Sequence, residues 1–146
     1  PNLYCGLADD YLATYTAARQ LYQAGVKNLL YYYDSNSYSG KEKLRGFQEA
    51  MKANGVEQKE QKTLYYYGSR EDIHAMTAKL AQLHQSGAAF DGVIASDDNL
   101  ALSAVKFAKS LGRKIPEEFS VIGYNHSLLA QCSSPSRSPI RQRGTY

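Results

Sequence analysis

Short apolar runs alternate with longer segments of helical period along most of the chain. The apolar runs cover residues 26–33, 62–67, 92–95 and 119–123. They are continuous rather than alternating, as is typical of parallel strands whose two faces are both covered. We therefore predict four buried strands, and residues 2–7 form a fifth candidate strand or an interdomain connection.

The segments between these runs carry the apolar stripes and end signals of amphipathic helices. We predict a first helix over residues 11–24, a second from Ser39, a third after Ser69 and a fourth after Asp97 and Asp98. Ser39 has the spacing of a capping box with the glutamate three positions on. A glycine follows each predicted helix, as helix ends favour; these are Gly25, Gly55, Gly87 and Gly112.

Strand and helix repeat four times in this order, which predicts an α/β fold. Right-handed crossovers between parallel strands place helices on both faces of an open, mostly parallel sheet. Such sheets bind their ligands at the carboxyl ends of the strands. The carboxyl edge is therefore where a functional site is expected.

Length, composition and charge limit the possible functions. The chain has 146 residues, 43% of them hydrophobic and 21% charged, which suits one folded domain rather than a disordered chain. The net charge of +3 equals the contribution of Arg137, Arg141 and Arg143, so the rest of the chain is neutral. A neutral body argues against a surface that tracks nucleic-acid phosphates.

The lack of targeting signals and the placement of the two cysteines favour a cytoplasmic protein. No apolar run is long enough to span a bilayer, and no signal-peptide pattern opens the chain. Cys5 and Cys132 stand far apart and form neither a disulfide framework nor a metal-binding pair. A reducing compartment fits this cysteine usage best.

Motifs for catalysis and for cofactor binding do not occur in the sequence. It contains no glycine-rich phosphate loop, no nucleophile elbow and no histidine pair with metal-ligand spacing, so no cofactor and no catalytic residue are predicted. Asp97 and Asp98 follow a strand, where a Mg²⁺ site could form. The favoured interpretation is a helix N-cap with an acidic neighbour that compensates the helix dipole.

Polar and aromatic residues follow every predicted strand. Residues 31–35 read Tyr-Tyr-Tyr-Asp-Ser, 65–69 read Tyr-Tyr-Tyr-Gly-Ser, 95–98 read Ala-Ser-Asp-Asp and 123–126 read Gly-Tyr-Asn-His. Aromatic faces stack on the C–H face of a sugar, and carboxylates, amides and hydroxyls bond its hydroxyl groups. The alternative for any single tyrosine is packing between sheet and helix. Taken together, the convergent set favours a sugar site.

Four stretches of the chain resemble the lactose-repressor and purine-repressor family. They are residues 9–28, the RGFQEA of residues 45–50, the FDGVIASDDNLAL of residues 90–102 and the IPEEFSVIGYN of residues 115–125. Their order and spacing carry the resemblance more than any one of them, and together they cover about residues 4–130.

The resemblance implies an effector-binding core of two lobes, like that of periplasmic binding proteins, in a repressor that binds operator DNA as a homodimer. Residues 1–132 would form the C-terminal lobe, and residues 133–146 an irregular tail or the start of the crossover to the other lobe. A helix-turn-helix headpiece, a hinge helix and the start of the N-terminal lobe would precede Pro1, and the last strands, which cross back, would follow the end. The implied partners are a small-molecule effector, most simply a carbohydrate, and operator DNA through the headpiece, with no membrane partner.

The resemblance also implies effector-binding residues, position by position. Asp97 matches a position that bonds ligand hydroxyls, and Tyr67 matches an aromatic that packs on the ligand ring. Ser37 and Ser39 lie in a loop that reaches the effector in relatives. Two positions depart from the family, since Asn125 replaces an aspartate and Lys43 replaces an arginine, which loses the bidentate fork.

Two other functions stay open at this point. The same architecture serves extracytoplasmic sugar-binding proteins of transport systems, and an upstream signal peptide would favour that function. A small enzyme that binds Mg²⁺ through Asp97 or Asp98 is the third possibility. The sequence names neither the effector nor the direction in which it acts on DNA binding.

Overall fold

The computed structural model describes residues 10–123 of the chain. Several predictions fall outside it: the candidate strand of residues 2–7, Cys5, Cys132, Asn125 and the tail of residues 133–146.

Four helices and four strands alternate along the described residues, as the pattern predicts. They are α1 (Asp10–Gln23), β1 (Leu29–Asp34), α2 (Tyr38–Ala53), β2 (Lys62–Tyr66), α3 (Ile73–Gln85), β3 (Gly92–Ala95), α4 (Asp98–Ser110) and β4 (Ser120–Ile122). A short 3₁₀ turn, Gln58–Glu60, precedes β2. No helix in this part of the chain is both long and apolar enough to cross a membrane.

The strands form one sheet in the order β2-β1-β3-β4, and every pairing is parallel. In the register, Asp34 at the end of β1 lies opposite Tyr66 at the end of β2, and Tyr32 lies opposite Ala95 at the end of β3. The predicted open parallel sheet is therefore confirmed. Because all strands run the same way, their carboxyl ends share one edge.

Each face of the sheet has its own apolar core. On one face α1 and α2 pack through Leu21, Phe47 and Met51 against Tyr31 and Ile94. On the other face α3 and α4 contribute Met76, Leu80, Leu100 and Phe107 against Leu30 and Val93. Two covered faces explain the continuous apolar runs of β1, β3 and β4. The prediction of a buried strand is wrong for β2, which lies at the edge of the sheet and alternates between half-buried and exposed positions.

The two helices on the first face approach each other closely at Gly46. A Cβ atom at this position of α2 would collide with the carbonyl oxygen of Tyr11 in α1. Glycine is therefore required here by backbone contact, and the contact fixes α1 against α2.

The helix starts differ in detail from the predicted ones, since α2 begins at Tyr38 rather than Ser39 and α3 begins at Ile73, four residues after Ser69. The N-cap of α2 is Ser37 and not Ser39, since the Ser37 Oγ accepts a hydrogen bond from the Gly40 amide at 3.0 Å. The N-cap of α3 is Asp72 and not Ser69, with Asp72 Oδ1 3.0 Å from the Ala75 nitrogen. A cap serves the amide three positions on, so the place where the chain turns into the helix decides which polar residue acts.

Candidate functional site

Four of the predicted site residues lie at the carboxyl edge of the sheet. Tyr67 directly follows β2, Ser37 follows β1 by three residues, and Asp97 follows β3 by two. Lys43 reaches the same edge from α2, because its ammonium nitrogen lies 2.9 Å from the carbonyl oxygen of Ser96. The edge therefore brings together a carboxylate, an ammonium group, hydroxyls and an aromatic ring.

Asp97 caps α4, as the sequence predicts. Its Oδ1 accepts a hydrogen bond from the Leu100 amide at 2.9 Å, and the side chain is half-buried. An ionised carboxylate has about four acceptor sites, and the cap occupies one of them. The carboxylate is thus held in place by the helix and retains acceptor capacity for the hydroxyl groups of a ligand.

Ser96, between β3 and Asp97, is hydrogen-bonded to both β1 and α2. Its amide donates to the Tyr32 carbonyl of β1 at 2.9 Å, its Oγ accepts from the Asp34 amide at 3.3 Å, and its carbonyl accepts from Lys43. Sequence reasoning missed this residue, because two of its three hydrogen bonds use its backbone. Ser96 fixes the position from which Asp97 extends.

Lys43 is buried, with 4% of its surface exposed. Burial lowers the pKa of its ammonium group, while the nearby carboxylates of Asp10 and Asp97 oppose that decrease. These two aspartates belong to the start of α1 and the start of α4. Lysine is rarely buried without such partners.

Asp34 and Arg70 form a second charged group at this edge. Asp34 is 8% exposed, and its Oδ1 accepts a hydrogen bond from the Asn36 amide at 2.9 Å. The Arg70 Nε lies 3.8 Å from Asp34 Oδ2, although the arginine side chain is largely exposed. Sequence reasoning missed this pair, because it depends on β2 lying beside β1.

The tyrosines divide into buried and exposed members. Tyr31 and Tyr32 are fully buried, and their hydroxyls donate to the carbonyls of Gly40 at 2.7 Å and Met76 at 2.9 Å. Burial is also the main cause that raises the pKa of Tyr32. Tyr38 and Tyr67 are 78% and 73% exposed at the carboxyl edge. Packing therefore accounts for the inner pair, whereas the outer pair can offer ring faces to a ligand.

The two predicted serines differ in what the structure shows of them. Ser37 is engaged as the cap of α2, while Ser39 lies half-buried in the first turn of that helix. Asn125 follows β4 in the chain but lies outside the described residues. Within residues 10–123, no group of three or more His, Cys, Asp or Glu side chains is placed to hold a metal ion.

A separate cavity lies away from these residues, beside the C-terminal half of α2. Its volume is about 480 Å³, and its lining includes Gln48, Glu49, Lys52 and Gln61. This α2-end cavity is open and contains none of the predicted site residues. It therefore serves as an internal comparison for the carboxyl edge.

The sequence model of the periplasmic binding protein-like domain matches residues 18–143 of the chain. The chain belongs to this family. A curated relative, an HTH-type transcriptional regulator of Lachnoclostridium phytofermentans, is 38% identical over 140 residues, which is 96% of this chain and 41% of the relative. The chain therefore spans well under half the length of that regulator.

Solved structures of regulators share the fold. The LacI family transcriptional regulator of Enterococcus faecium with bound ribose aligns with a TM-score of 0.68 at 25% identity, covering 94% of this chain and 51% of that one. The complex of the transcriptional regulator CelR with cellobiose aligns with a TM-score of 0.71 at 25% identity, covering 94% and 42%. These comparisons confirm the resemblance to the repressor family. They favour a regulator over a transport protein, and the relatives are not enzymes.

Proposed function

We propose that this chain is the C-terminal lobe of the effector-binding domain of a sugar-responsive transcriptional repressor. Residues 1–132 form the lobe, and residues 133–146 are a tail or begin the crossover to the N-terminal lobe. The observation that carries the proposal is the meeting of Ser37, Lys43, Tyr67 and Asp97 at one edge of a parallel sheet. Ligands of such sheets bind at that edge.

Asp97 is the central ligand-binding residue of this proposal. Its carboxylate accepts hydrogen bonds from sugar hydroxyls, Tyr67 offers a ring face to the apolar side of the sugar, and Ser37, Ser39 and Asn125 add polar contacts. Lys43 belongs to the same site. The ribose and cellobiose complexes of two relatives support an uncharged carbohydrate as the effector.

The mechanism is binding without catalysis. An effector bridges the two lobes and shifts the population of the DNA-binding arrangement by its differential affinity for the two states. Operator DNA is bound through a headpiece, in the cytoplasm, and no cofactor takes part. Since one lobe offers half of the site, this chain alone binds sugar weakly and does not bind operator DNA.

Helix α4 offers a surface for the homodimer that the proposal includes. Leu102 is 44% exposed on this helix. An exposed apolar side chain of this kind is a candidate contact between subunits. Sedimentation of the L102D variant is expected to show a loss of dimer, and an unchanged dimer would place the interface elsewhere.

The proposal is tested on the full-length protein that carries this chain. A panel of uncharged mono- and disaccharides, including ribose and cellobiose, is screened by thermal shift, and stabilising sugars are measured by calorimetry. We expect at least one sugar to raise the melting temperature and to change the affinity for genomic DNA fragments selected by the protein. Full-length protein that selects no DNA fragments, or sugar binding without any effect on DNA affinity, would contradict the proposal.

The isolated 146-residue chain provides the matched control. It is expected to give no specific gel shift with the DNA that the full-length protein selects, and only weak calorimetric signals with the stabilising sugar. A micromolar affinity of the isolated chain for that sugar would show that one lobe holds a complete site.

A further inference from the structure

We infer that Lys43 is a positioning residue, which holds Asp97 in place through the carbonyl of Ser96 instead of reaching the effector itself. This inference rests on the function proposed above. Its basis is the 2.9 Å hydrogen bond from the Lys43 Nζ to the Ser96 oxygen and the burial of the lysine.

A buried lysine is unfavourable for the stability of the fold, so its presence indicates a functional role. Removing an ammonium group from water costs free energy, and a buried ion pair is often less stabilising than apolar side chains of similar volume. A methionine would fill most of the same space without that cost. The sequence nevertheless has a lysine here, and its Nζ lies 2.9 Å from the Ser96 carbonyl oxygen.

The bond connects α2 to the junction between β3 and α4. Ser96 is the last residue before Asp97. Its amide donates to Tyr32 of β1, its Oγ accepts from the Asp34 amide of β1, and its carbonyl accepts from Lys43 of α2. Of these three, the bond from Lys43 is the only one that comes from a helix. Without it, the peptide between Ser96 and Asp97 loses its link to α2, so the Asp97 carboxylate gains freedom to move.

The cap of α4 reports on this freedom without any ligand. The Leu100 amide donates to Asp97 Oδ1 at 2.9 Å, so its hydrogen exchange depends on how firmly the carboxylate is held. We would measure exchange of the segment 96–101 in the 146-residue chain by mass spectrometry. Lys43→Met is expected to accelerate it several-fold, while Lys43→Arg and the exposed control Lys41→Met keep the original rate.

Sugar affinity of the full-length protein provides the second measurement, with cellobiose and ribose as probes. Lys43→Met is expected to weaken binding roughly tenfold, because the charge-assisted bond it removes is among the stronger ones. In the Asp97→Ala background the same change is expected to have no further effect, since Asp97 is the residue that Lys43 positions. Lys43→Arg is expected to restore most of the affinity.

Two results would overturn the inference: unchanged exchange of the segment 96–101 in Lys43→Met, or an effect of Lys43→Met that adds fully to that of Asp97→Ala. The second result would mean that Lys43 contacts the sugar directly. A wild-type protein that binds neither probe would count against the proposed function, while the exchange measurement would still decide the role of Lys43.

Discussion

The interior of the sheet and its carboxyl edge differ in chemistry, although the same strands supply both. Along β1, Leu30, Tyr31 and Tyr32 are fully buried, and the polar groups of the two tyrosines are satisfied by carbonyls. Asp34, two residues beyond Tyr32 in β1, is also buried, and so is Lys43 of α2. These two side chains differ from the tyrosines because they carry charges. The interior is organised for stability, whereas the edge tolerates charges that an apolar core would exclude. Such unfavourable burial is expected at functional sites.

The largest effect should come from the interior. Phe107 of α4 packs against Phe90 and Phe119, with ring centroids 5.5 and 6.1 Å away. Phe107→Ala is expected to lower the free energy of unfolding by about 3–5 kcal/mol, because it removes a fully buried ring and leaves a cavity. Urea denaturation measures this loss. Leu102→Ala on the exposed side of the same helix should change stability by under about 0.5 kcal/mol, and equal losses would contradict the assignment of the core.

Asp97 should show a combined effect on stability and binding. Asp97→Ala removes a helix cap, which costs about 1 kcal/mol of unfolding free energy, and it removes the proposed acceptor for sugar hydroxyls. The loss of a hydrogen bond to a charged group corresponds to roughly tenfold or greater weakening of sugar affinity. Calorimetry on the full-length protein and thermal unfolding measure the two effects separately.

The matched control for Asp97 is Asp72, the cap of α3. Its Oδ1 accepts from the Ala75 amide at 3.0 Å, which is nearly the same bond that Asp97 makes. Asp72→Ala should therefore lose about as much stability, around 1 kcal/mol, without any loss of sugar affinity. If both variants lost affinity equally, the effect of Asp97 would be one of folding alone.

A smaller effect is expected at Tyr67, which is exposed. Tyr67→Ala should leave the stability of the chain almost unchanged and weaken sugar binding by about 1 kcal/mol, or roughly fivefold, if the ring packs on the ligand. Tyr67→Phe retains the ring and should retain the affinity. Fluorescence or calorimetric titration measures both variants, and an unchanged affinity in Tyr67→Ala would remove this residue from the proposed site.

The smallest effect is a pH dependence of stability due to Lys43. Its pKa in the folded chain is lower than the ordinary value of 10.5, so the unfolded chain binds more protons between the two values. Stability relative to Lys43→Met should therefore rise with pH across that window and level off above it. The raised pKa of Tyr32 acts in the opposite direction at alkaline pH, but both proteins share it. The free energy of unfolding is measured for both proteins from pH 7 upward. The wild-type value minus the Lys43→Met value should rise with pH, and a fall in this difference would contradict the prediction.

The bounds of a strand could be predicted where polar residues flank a short apolar run. They could not be predicted where buried and exposed residues mix at the start of the strand. β3 was predicted at its observed bounds, because Asp91 and Ser96 flank a short apolar run. β1 begins at Leu29 rather than at Val26, since Val26 packs on the core while Lys27 and Asn28 are exposed before the strand. Burial of a side chain does not by itself place its backbone in a strand.

The site could be predicted only as far as it depends on side-chain type and chain order. Asp97 was predicted to cap α4 because an acidic pair follows a strand, and the structure confirms the cap. The bond between Lys43 and Ser96 could not be predicted, because a backbone carbonyl leaves no signal in the sequence. The proximity of Arg70 to Asp34 depends on the strand order, which sequence alone left undetermined.

The most direct test of the central claim is hydrogen exchange of the full-length protein with and without a sugar that stabilises it in the thermal-shift screen. The carboxyl edge is proposed to be half of the effector site. Protection is therefore expected in segments 34–43, 67–72 and 96–101, and not around the α2-end cavity at Gln48 and Gln61. Protection at that cavity with an unprotected carboxyl edge would contradict the account.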